Sequence, residues 1–293
     1  MTTEKDANAM TRRRKWNLIV DVAKCTNCNL CTLANQDEHV GNEFEGYSAP
    51  MPRHGHRWID IRSHERGSGP VMDVAYLPVL CQHCDDAPCI AAAKNGAVTK
   101  REDGIVHIHP VKAKGQKAIA DACPYGAIRW NEELELPQHW FFDAHLLDRG
   151  WREPRCVTVC ATGALKAVKV TDEEMAAIKS REGLNELQPE LATKPRVHYK
   201  NLYRYTHEFV GGTVIKTVAG VTDCVANARI KLESSGSVVG EAVTDAYGEF
   251  KIDGLPPDSG RYGVVIEVDG RVSKRVEVDV RKSVYLGRID LAA

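Results

Sequence analysis

The spacing of the cysteines constrains this chain more than any other feature of its sequence. Nine of the ten cysteines stand between Cys25 and Cys160, and only Cys224 lies beyond them. Two residues separate successive cysteines of the first group, which places three thiolates on one tight loop and suits three corners of an iron-sulfur cubane. A second group again offers three cysteines. The two groups are Cys25, Cys28 and Cys31, and Cys81, Cys84 and Cys89.

Each group lacks a fourth ligand of its own, because Asn35 and Ala93 occupy the positions where bacterial ferredoxins carry it. The downstream candidates are Cys160 and Cys123, the latter followed by a proline as in the ferredoxin pattern. By the crossed-ligand arrangement of such folds, the sequence predicts two 4Fe-4S clusters. Cluster 1 is predicted to take Cys25, Cys28, Cys31 and Cys160, and cluster 2 to take Cys81, Cys84, Cys89 and Cys123.

Zinc is the main alternative, because it also accepts four thiolates. Zinc ribbons usually supply their cysteines as two CxxC pairs, whereas this chain twice combines a group of three with one remote cysteine, which favours clusters. Buried cysteines that act only as small apolar side chains would not explain the spacing. Cys156 and Cys224 are left over, and Cys224 is predicted to be incidental.

The first part of the chain, residues 1–170, is predicted to form the two-cluster ferredoxin-like domain. It contains a predicted hairpin, in which residues 95–98 and 105–108 flank a turn at Asp103-Gly104. The segments that begin at Cys123 and Cys160 are similar to each other, which indicates an internal repeat of the kind that builds two-cluster ferredoxins.

The remainder is predicted to be a connector and a second domain. Residues 171–205 form the helical connector, which begins with a capping box at Thr171 and Glu174. Residues 206–293 show about seven short alternating strands separated by Gly, Asp and Pro, which predicts a β-sandwich or barrel. The predicted fold class is therefore α+β, a ferredoxin-like iron-sulfur domain followed by an all-β transthyretin-like sandwich.

Composition restricts the partners and the compartment. Lys and Arg number 39 against 40 Asp and Glu, a formal charge of -1, so no global field attracts nucleic acid or an anionic membrane. The sequence has no apolar run near the roughly 20 residues that span a bilayer. The apolar stretch after the basic residues Arg12–Lys15 is too short for an export signal, so we interpret them as a solvated leader. Cysteines spaced as metal ligands favour a reducing compartment, so we expect a cytoplasmic location.

Two stretches of sequence carry resemblances to known families. Thr244–Phe250 followed by Gly254–Pro257 resembles the transthyretin-like or carboxypeptidase-regulatory-like module, which implies a binding or docking role. The cysteine motifs, in their order, resemble the iron-sulfur subunits of the dimethyl-sulfoxide-reductase molybdoenzyme family. These motifs are Cys25 to Cys31, Cys81-Gln-His-Cys-Asp-Asp-Ala-Pro-Cys89, Cys123-Pro-Tyr-Gly and Arg155-Cys-x3-Cys160.

Further segments are similar to the small subunits of the pyrogallol-phloroglucinol transhydroxylase and resorcinol hydroxylase type, with hydroxyhydroquinone dehydrogenases as close relatives. These segments are Gly55–Trp58, Arg101–Val106, Ala144–Leu147, Thr193–Val197 and Tyr199–Arg204. The resemblance implies a large catalytic subunit that carries molybdopterin guanine dinucleotide with Mo or W and acts on phenolic rings. This chain would then be its noncatalytic partner, holding clusters that transfer or buffer electrons.

Two other functions remain open from the sequence. The clusters could be purely structural in a scaffold that docks onto the catalytic subunit, which a transhydroxylation without net redox change would tolerate. Alternatively, the chain could be a free-standing ferredoxin or a zinc-binding protein with a sandwich appended. The sequence has no nucleophile-base constellation that would indicate a catalytic site of its own.

The chain also departs from the family pattern. The resemblance implies a fourth cysteine in the first group and a CxxC motif where Trp140–Asp143 stand, and with Cys156 these would hold an additional cluster. Three of its four ligands are missing together, which indicates the loss of a whole site. Trp140 and Phe142 are predicted to fill the vacated volume, because a cavity would be costly. The resemblance also implies four clusters arranged as two pairs, in which each cluster takes one ligand from the cysteine group of the other. This chain keeps one cluster from each pair, so neither has its adjacent partner, and electron transfer between the two is predicted to be slow.

Histidines offer weaker alternatives. His54, His56, His107 and His109 are interpreted as surface or core residues rather than metal ligands. A replacement metal site is also considered, formed by His139, Asp143, His145 and Cys156.

Overall fold

The computed structural model describes residues 13–291. Residues 1–12 of the predicted ferredoxin-like domain, which include Arg12 of the predicted leader, and residues 292–293 of the predicted sandwich lie outside this range. The chain forms two compact units, one made of the residues up to Arg62 with Tyr76–Leu202, the other of Ser63–Ala75 with the residues from Tyr203 onward. Residues 171–202 of the predicted connector therefore group with the first unit, and residues 63–75 group with the second.

Most helices of the first unit are single turns. Along the described chain they are α1 (Leu30–His39), α2 (Pro88–Ala92), α3 (Ala118–Asp121), α4 (Ala144–Leu147), α5 (Arg155–Thr158) and α6 (Asp172–Glu182), with a 3-10 turn at Pro189–Leu191. Within residues 13–291, no helix combines the length and the apolar character needed to cross a bilayer.

The strands up to Leu202 have three to seven residues, apart from one long ribbon of two nine-residue strands. They are β1 (Lys15–Asp21), β2 (Asp60–Ser68), β3 (Val71–Val79), β4 (Val98–Lys100), β5 (Val106–Ile108), β6 (Arg129–Asn131), β7 (Leu136–Gln138), β8 (Leu165–Val170) and β9 (Val197–Lys200). The ribbon is formed by β2 and β3, which have residues in both units. Antiparallel pairing joins β4 to β5 and β6 to β7.

A three-stranded sheet with β1 at its centre organises the first unit. β1 pairs antiparallel with β8 and parallel with β9. Leu18, Ile19 and Val20 are all at most 4% exposed, because a central strand with both faces covered needs a continuous apolar run. Ile19 packs against Met175 of α6, so this helix covers one face of the sheet.

The predicted hairpin and the predicted helix start are both confirmed. β4 and β5 flank a turn in which Gly104 has a φ of +87°. The first strand begins at Val98 rather than at Asn95, because Asn95 has a positive φ that breaks the extended chain. At the start of α6, the Thr171 hydroxyl accepts the N–H of Glu174 at 3.2 Å, and the Glu174 carboxylate accepts the N–H of Thr171 at 2.9 Å.

The second unit is formed almost entirely by strands. After a short helix α7 (Tyr203–Thr206) come β10 (Glu208–Val218), β11 (Val221–Cys224), β12 (Arg229–Ser234), β13 (Ser237–Val243), β14 (Glu249–Leu255), β15 (Gly260–Val268), β16 (Arg271–Val280) and β17 (Val284–Asp290). One sheet has the order β11-β10-β14, with β17 also paired to β10, and the other has the order β13-β12-β15-β16.

Side chains from both sheets share one apolar core. Val214 and Phe250 belong to the first sheet, and Ile230 and Val264 to the second, and all four are at most 4% exposed. This arrangement confirms the predicted all-β sandwich. The described part of the sandwich has eight strands, β10 to β17, where the sequence predicted about seven.

A buried ion-pair cluster joins the two chain segments of the second unit. Arg66 of β2 is fully buried, and its guanidinium donates to Asp253 of β14 at 2.7 Å and to Asp73 of β3 at 2.5 Å. Burial alone would raise the pKa of Asp73, but hydrogen bonds from Arg204, Arg66 and Lys251 hold it well below its ordinary value. The buried charges of Arg66 and Asp73 are therefore neutralised inside the second unit.

We expect Gly248→Ala to destabilise the sandwich strongly. A Cβ at Gly248 would lie 2.3 Å from the carbonyl oxygen of Val214, at a φ of +74°. Gly254→Ala is the matched control, because Gly254 has a φ of +85° but open space at its Cβ position. The control should cost about 1 kcal/mol of unfolding free energy, and Gly248→Ala should cost clearly more. Hydrogen exchange of the sandwich amides in the full-length chain measures both, and equal losses of protection would contradict the prediction.

Candidate metal centres

The first cysteine group lies on the loop that follows β1. Asn27 and Asn29 have φ values of 58° and 60°, a left-handed conformation that asparagine tolerates better than most residues. These residues alternate with the cysteines, so the chain turns sharply between Cys25 and Cys31. Cys31 itself lies in the first turn of α1.

All four cysteines predicted for cluster 1 line a single cavity. The cavity has about 310 Å³ of space, partly open to solvent, and Ile61 and Pro78 contribute to its walls. The β1–β8 pairing accounts for the meeting of these distant residues. Val20 lies opposite Leu165, so the chain just before Cys25 runs beside the chain just after Cys160. The four cysteines are Cys25, Cys28, Cys31 and Cys160.

The thiols of this first set fit a metal group that binds sulfur. Burial, together with the nearby Cys25 and Cys160 thiols, raises the pKa of Cys31 to about 11. Without a metal the Cys31 thiol is therefore protonated at neutral pH, and a metal group that binds it as a thiolate must displace this proton. Four sulfur donors among apolar walls suit an iron-sulfur cluster or another thiophilic metal.

The second set of thiols gathers around α2. Cys81 and Cys84 follow β3, Cys89 lies within α2, and Cys123 comes shortly after α3. The Cys123 thiol acts electrostatically on the other three, so the four lie close together. Burial, followed by the effects of Cys123 and Cys84, raises the pKa of Cys89 to about 12. This set is more enclosed than the first, because Cys81, Cys84 and Cys89 are buried whereas Cys28 is exposed.

The distances among the thiols bear on the choice between zinc and clusters. A tetrahedral zinc site with Zn–S bonds of about 2.3 Å needs its sulfurs about 3.8 Å apart. Among the described residues, no three cysteine sulfurs lie within 4.8 Å of one another. Both sets are therefore wider than a zinc site, which favours a larger bound group.

The replacement metal site considered from the sequence is not formed, and that alternative was wrong. The Nε2 atom of His139 lies 3.0 Å from the carbonyl oxygen of Val106, and the His139 ring faces Cys81 and His83. His139 lies there because it follows β7 directly, whereas the other three residues lie on or beside α4 and α5.

The remaining members of that set have other partners. His145 of α4 lies 2.8 Å from the Glu38 carboxylate on α1, and Asp143 lies 3.4 Å from His39. Cys156 is fully buried next to Asp143, and burial raises its pKa well above the ordinary value. Asp143 and Cys156 are neighbours, but the histidines needed to complete a metal site point elsewhere.

The residues at the predicted lost cluster form a tightly packed region. Trp140 and Phe142 are at most 1% exposed, and their ring centroids are 4.7 Å apart. Asn35, four residues after Cys31 on α1, is buried, and its amide has no hydrogen-bond partner within the described part of the chain. The buried rings support the prediction that they occupy vacated volume, which stays a prediction.

The paired histidines have ordinary structural environments. His56 and His107 each bond to a backbone carbonyl, at 2.8 and 3.1 Å. His109 accepts a backbone N–H at 3.3 Å, and His54 is exposed. These contacts agree with the interpretation of the four as surface or core residues.

Sequence reasoning missed two residues beside the second set. His83 separates Cys81 from Cys84, and its position inside the CxxC motif was the available signal. Lys100 lies on β4, far along the chain, yet its ammonium group contacts the backbone of this same loop. Only the tertiary fold brings Lys100 there, so no local pattern could have identified it.

Comparisons with known proteins agree with this structure. Two family models match the chain, the 4Fe-4S dicluster domain over residues 72–170 and the carboxypeptidase regulatory-like domain over residues 210–291. The pyrogallol hydroxytransferase small subunit of Pelobacter acidigallici is 46% identical over 280 residues, covering 94% of this chain and 99% of that protein.

More distant relatives are iron-sulfur or electron transfer subunits of other enzymes. The iron-sulfur subunit of an arsenate respiratory reductase from a Shewanella species is 25% identical, and the match covers 62% of this chain and 94% of that protein. The electron transfer subunit of thiosulfate reductase from Salmonella typhi is 29% identical, and the match covers 54% of this chain and 78% of that protein. Together the matches confirm the predicted fold class and the predicted resemblance.

Cys160→Ser and Cys123→Ser are each expected to remove one cluster, because each takes away the remote fourth ligand of one set. Iron and acid-labile sulfide in the anaerobically purified protein should fall from about eight to about four of each per chain. The control variants Cys156→Ser and Cys224→Ser should leave iron at about eight. A wild-type protein that contained zinc and no iron would contradict both assignments.

Restoring the missing cysteines should create a third cluster. Asn35→Cys, Trp140→Cys and Asp143→Cys together would supply three thiols beside Cys156, and iron should rise to about twelve per chain. The same triple variant with Cys156→Ser is the control and should stay at about eight. No gain of iron in the triple variant would count against the loss of a whole cluster site.

Proposed function

Because the chain belongs to the family of iron-sulfur subunits that includes the pyrogallol hydroxytransferase small subunit, we propose that it serves a molybdopterin enzyme that hydroxylates or transhydroxylates phenolic rings. The observation that carries the proposal is the convergence of eight cysteines into two separate sets of four. Electron transfer is the role that an iron-sulfur dicluster domain supports.

Each set of thiols would hold one 4Fe-4S cluster. Cys25, Cys28, Cys31 and Cys160 would hold cluster 1, and Cys81, Cys84, Cys89 and Cys123 would hold cluster 2. When bound, such clusters accept and release single electrons. The chain's own residues would then exclude water from the buried second set and leave the first set nearer to solvent, at the exposed Cys28.

The catalytic site is proposed to lie on a large partner subunit. That subunit would carry molybdopterin guanine dinucleotide with Mo or W and would bind the phenolic substrate. The support is the relatives themselves, which are named as small, iron-sulfur or electron transfer subunits. Cysteines spaced as metal ligands also favour a reducing compartment, so we propose a cytoplasmic location for the complex.

A scaffold function is the second candidate. Trp140 and Phe142 occupy the position where the family resemblance implies a cluster, and both are buried. If no cluster lies between the two centres, electron transfer between them is expected to be slow, and the clusters would then stabilise a docking subunit or buffer electrons. A free-standing ferredoxin is less well supported, since 94% of the chain matches a small subunit.

Purification of the chain from its native source tests the proposal. We expect a large molybdenum- or tungsten-bearing subunit to co-purify, and we expect phenolic substrates such as pyrogallol or resorcinol to change the electron paramagnetic resonance spectrum of the clusters. Clusters that respond to dithionite but never to a phenol would favour the scaffold function. A chain that purifies alone, without any large partner, would overturn the proposed function.

A further inference from the structure

The ammonium group of Lys100 is held against the loop of the second cysteine set. Its Nζ donates to the carbonyl oxygens of His83 at 2.6 Å and Cys84 at 2.7 Å, and it lies 2.6 Å from the Asp85 carboxylate. An ammonium has three N–H donors and no acceptor, so these three acceptors saturate it. The arrangement therefore fixes a cation next to the cysteines.

Lys100 also holds the backbone of the cysteine loop in place. The carbonyl groups of His83 and Cys84 both point to its ammonium group. The N–H of Cys84 belongs to the same planar trans peptide as the His83 carbonyl and points the opposite way, so Lys100 fixes the direction of that N–H as well.

The positive charge of Lys100 is only partly cancelled by Asp85. The same carboxylate accepts from Nε of Arg196 at 2.8 Å, and Arg196 also donates to Asp172 at 3.1 Å. Lys15 pairs with Asp172 at 2.7 Å. Three cations thus share two carboxylates, so this network as a whole carries a net positive charge, and Lys100 is its member next to the second set.

This charge matters because the second set is buried. Reduction of a 4Fe-4S cluster adds one electron without a proton, and so adds a negative charge to a site with few solvent contacts. Burial of an extra charge is unfavourable, and a fixed cation nearby offsets that cost. Hydrogen bonds and nearby charge are known to tune cluster potentials in this way.

We propose that Lys100 is a positioning residue that raises the reduction potential of cluster 2, through its own charge and through its hold on the carbonyls of the cysteine loop. This inference rests on the proposed function, since it needs a cluster bound by the second set. It predicts that changes at Lys100 affect the two clusters unequally, because the titratable groups that act on Cys25 in the first set are other thiols.

A redox titration followed by electron paramagnetic resonance tests the inference on the complex as purified. Dithionite is the reductant, and the Cys123→Ser variant identifies which signal belongs to cluster 2. We expect Lys100→Met to lower the potential of cluster 2 alone. The expected change is at least tenfold in its ratio of oxidised to reduced form at a fixed potential, which is about 59 mV for a one-electron couple.

Three further variants separate electrostatics from simple loss of structure. Lys100→Arg keeps the cation and should restore most of the potential. Asp85→Asn removes the counter-charge and should raise the reduction potential of cluster 2. This variant tests the electrostatic effect even if Lys100→Met fails to assemble the cluster. Lys194→Met is the matched control, because Lys194 pairs with Asp86 on the same loop but is 71% exposed and screened by solvent.

The outcomes distinguish this inference from the proposed function. If the wild-type protein does not contain about eight iron atoms per chain, the two clusters are not present, and this result would contradict the proposed function. Wild-type iron content with an unchanged cluster 2 potential in both Lys100→Met and Asp85→Asn would overturn the role of Lys100 alone. Equal shifts of both clusters in these variants would also overturn it, because a local charge cannot act equally on both.

Discussion

The antiparallel contact between β1 and β8 is the constraint on which the first metal centre depends. Cys25 and Cys160 are far apart in the chain. They meet because β1, which precedes Cys25, is hydrogen-bonded to β8, which follows Cys160, with Val20 opposite Leu165. A slip of one residue in this register would exchange the two faces of β1 and would change which residues lie opposite Val20. The position of the thiols therefore follows from this register.

Some of this molecule could be predicted because the signals are local. The cysteine spacing, the turn at Gly104 and the capping box at Thr171 each involve residues a few positions apart. Local backbone geometry therefore determines them without reference to the rest of the fold. The features that escaped prediction depend on contacts between distant segments. The fold brings Lys100 to the loop of Cys84. The predicted replacement metal site was wrong because the sequence positions of its residues do not show which way a side chain such as His139 points.

The buried thiols also link metal binding to proton release. Burial raises the pKa values of Cys31 and Cys89, so in the absence of metal these thiols are neutral and add no charge repulsion to the interior. Metal binding then replaces protons with a group that only the deprotonated form can hold. Folding and metal binding are in this way coupled through proton release.

The second unit depends on two separate stretches of the chain. It includes residues 63–75, whose Arg66 is neutralised by Asp253, 187 residues later in the sequence. A gene truncated after residue 202 would still encode Arg66 but would leave its buried guanidinium without that carboxylate. The neutralisation of this buried guanidinium therefore ties residues 63–75 to the strands that follow residue 202.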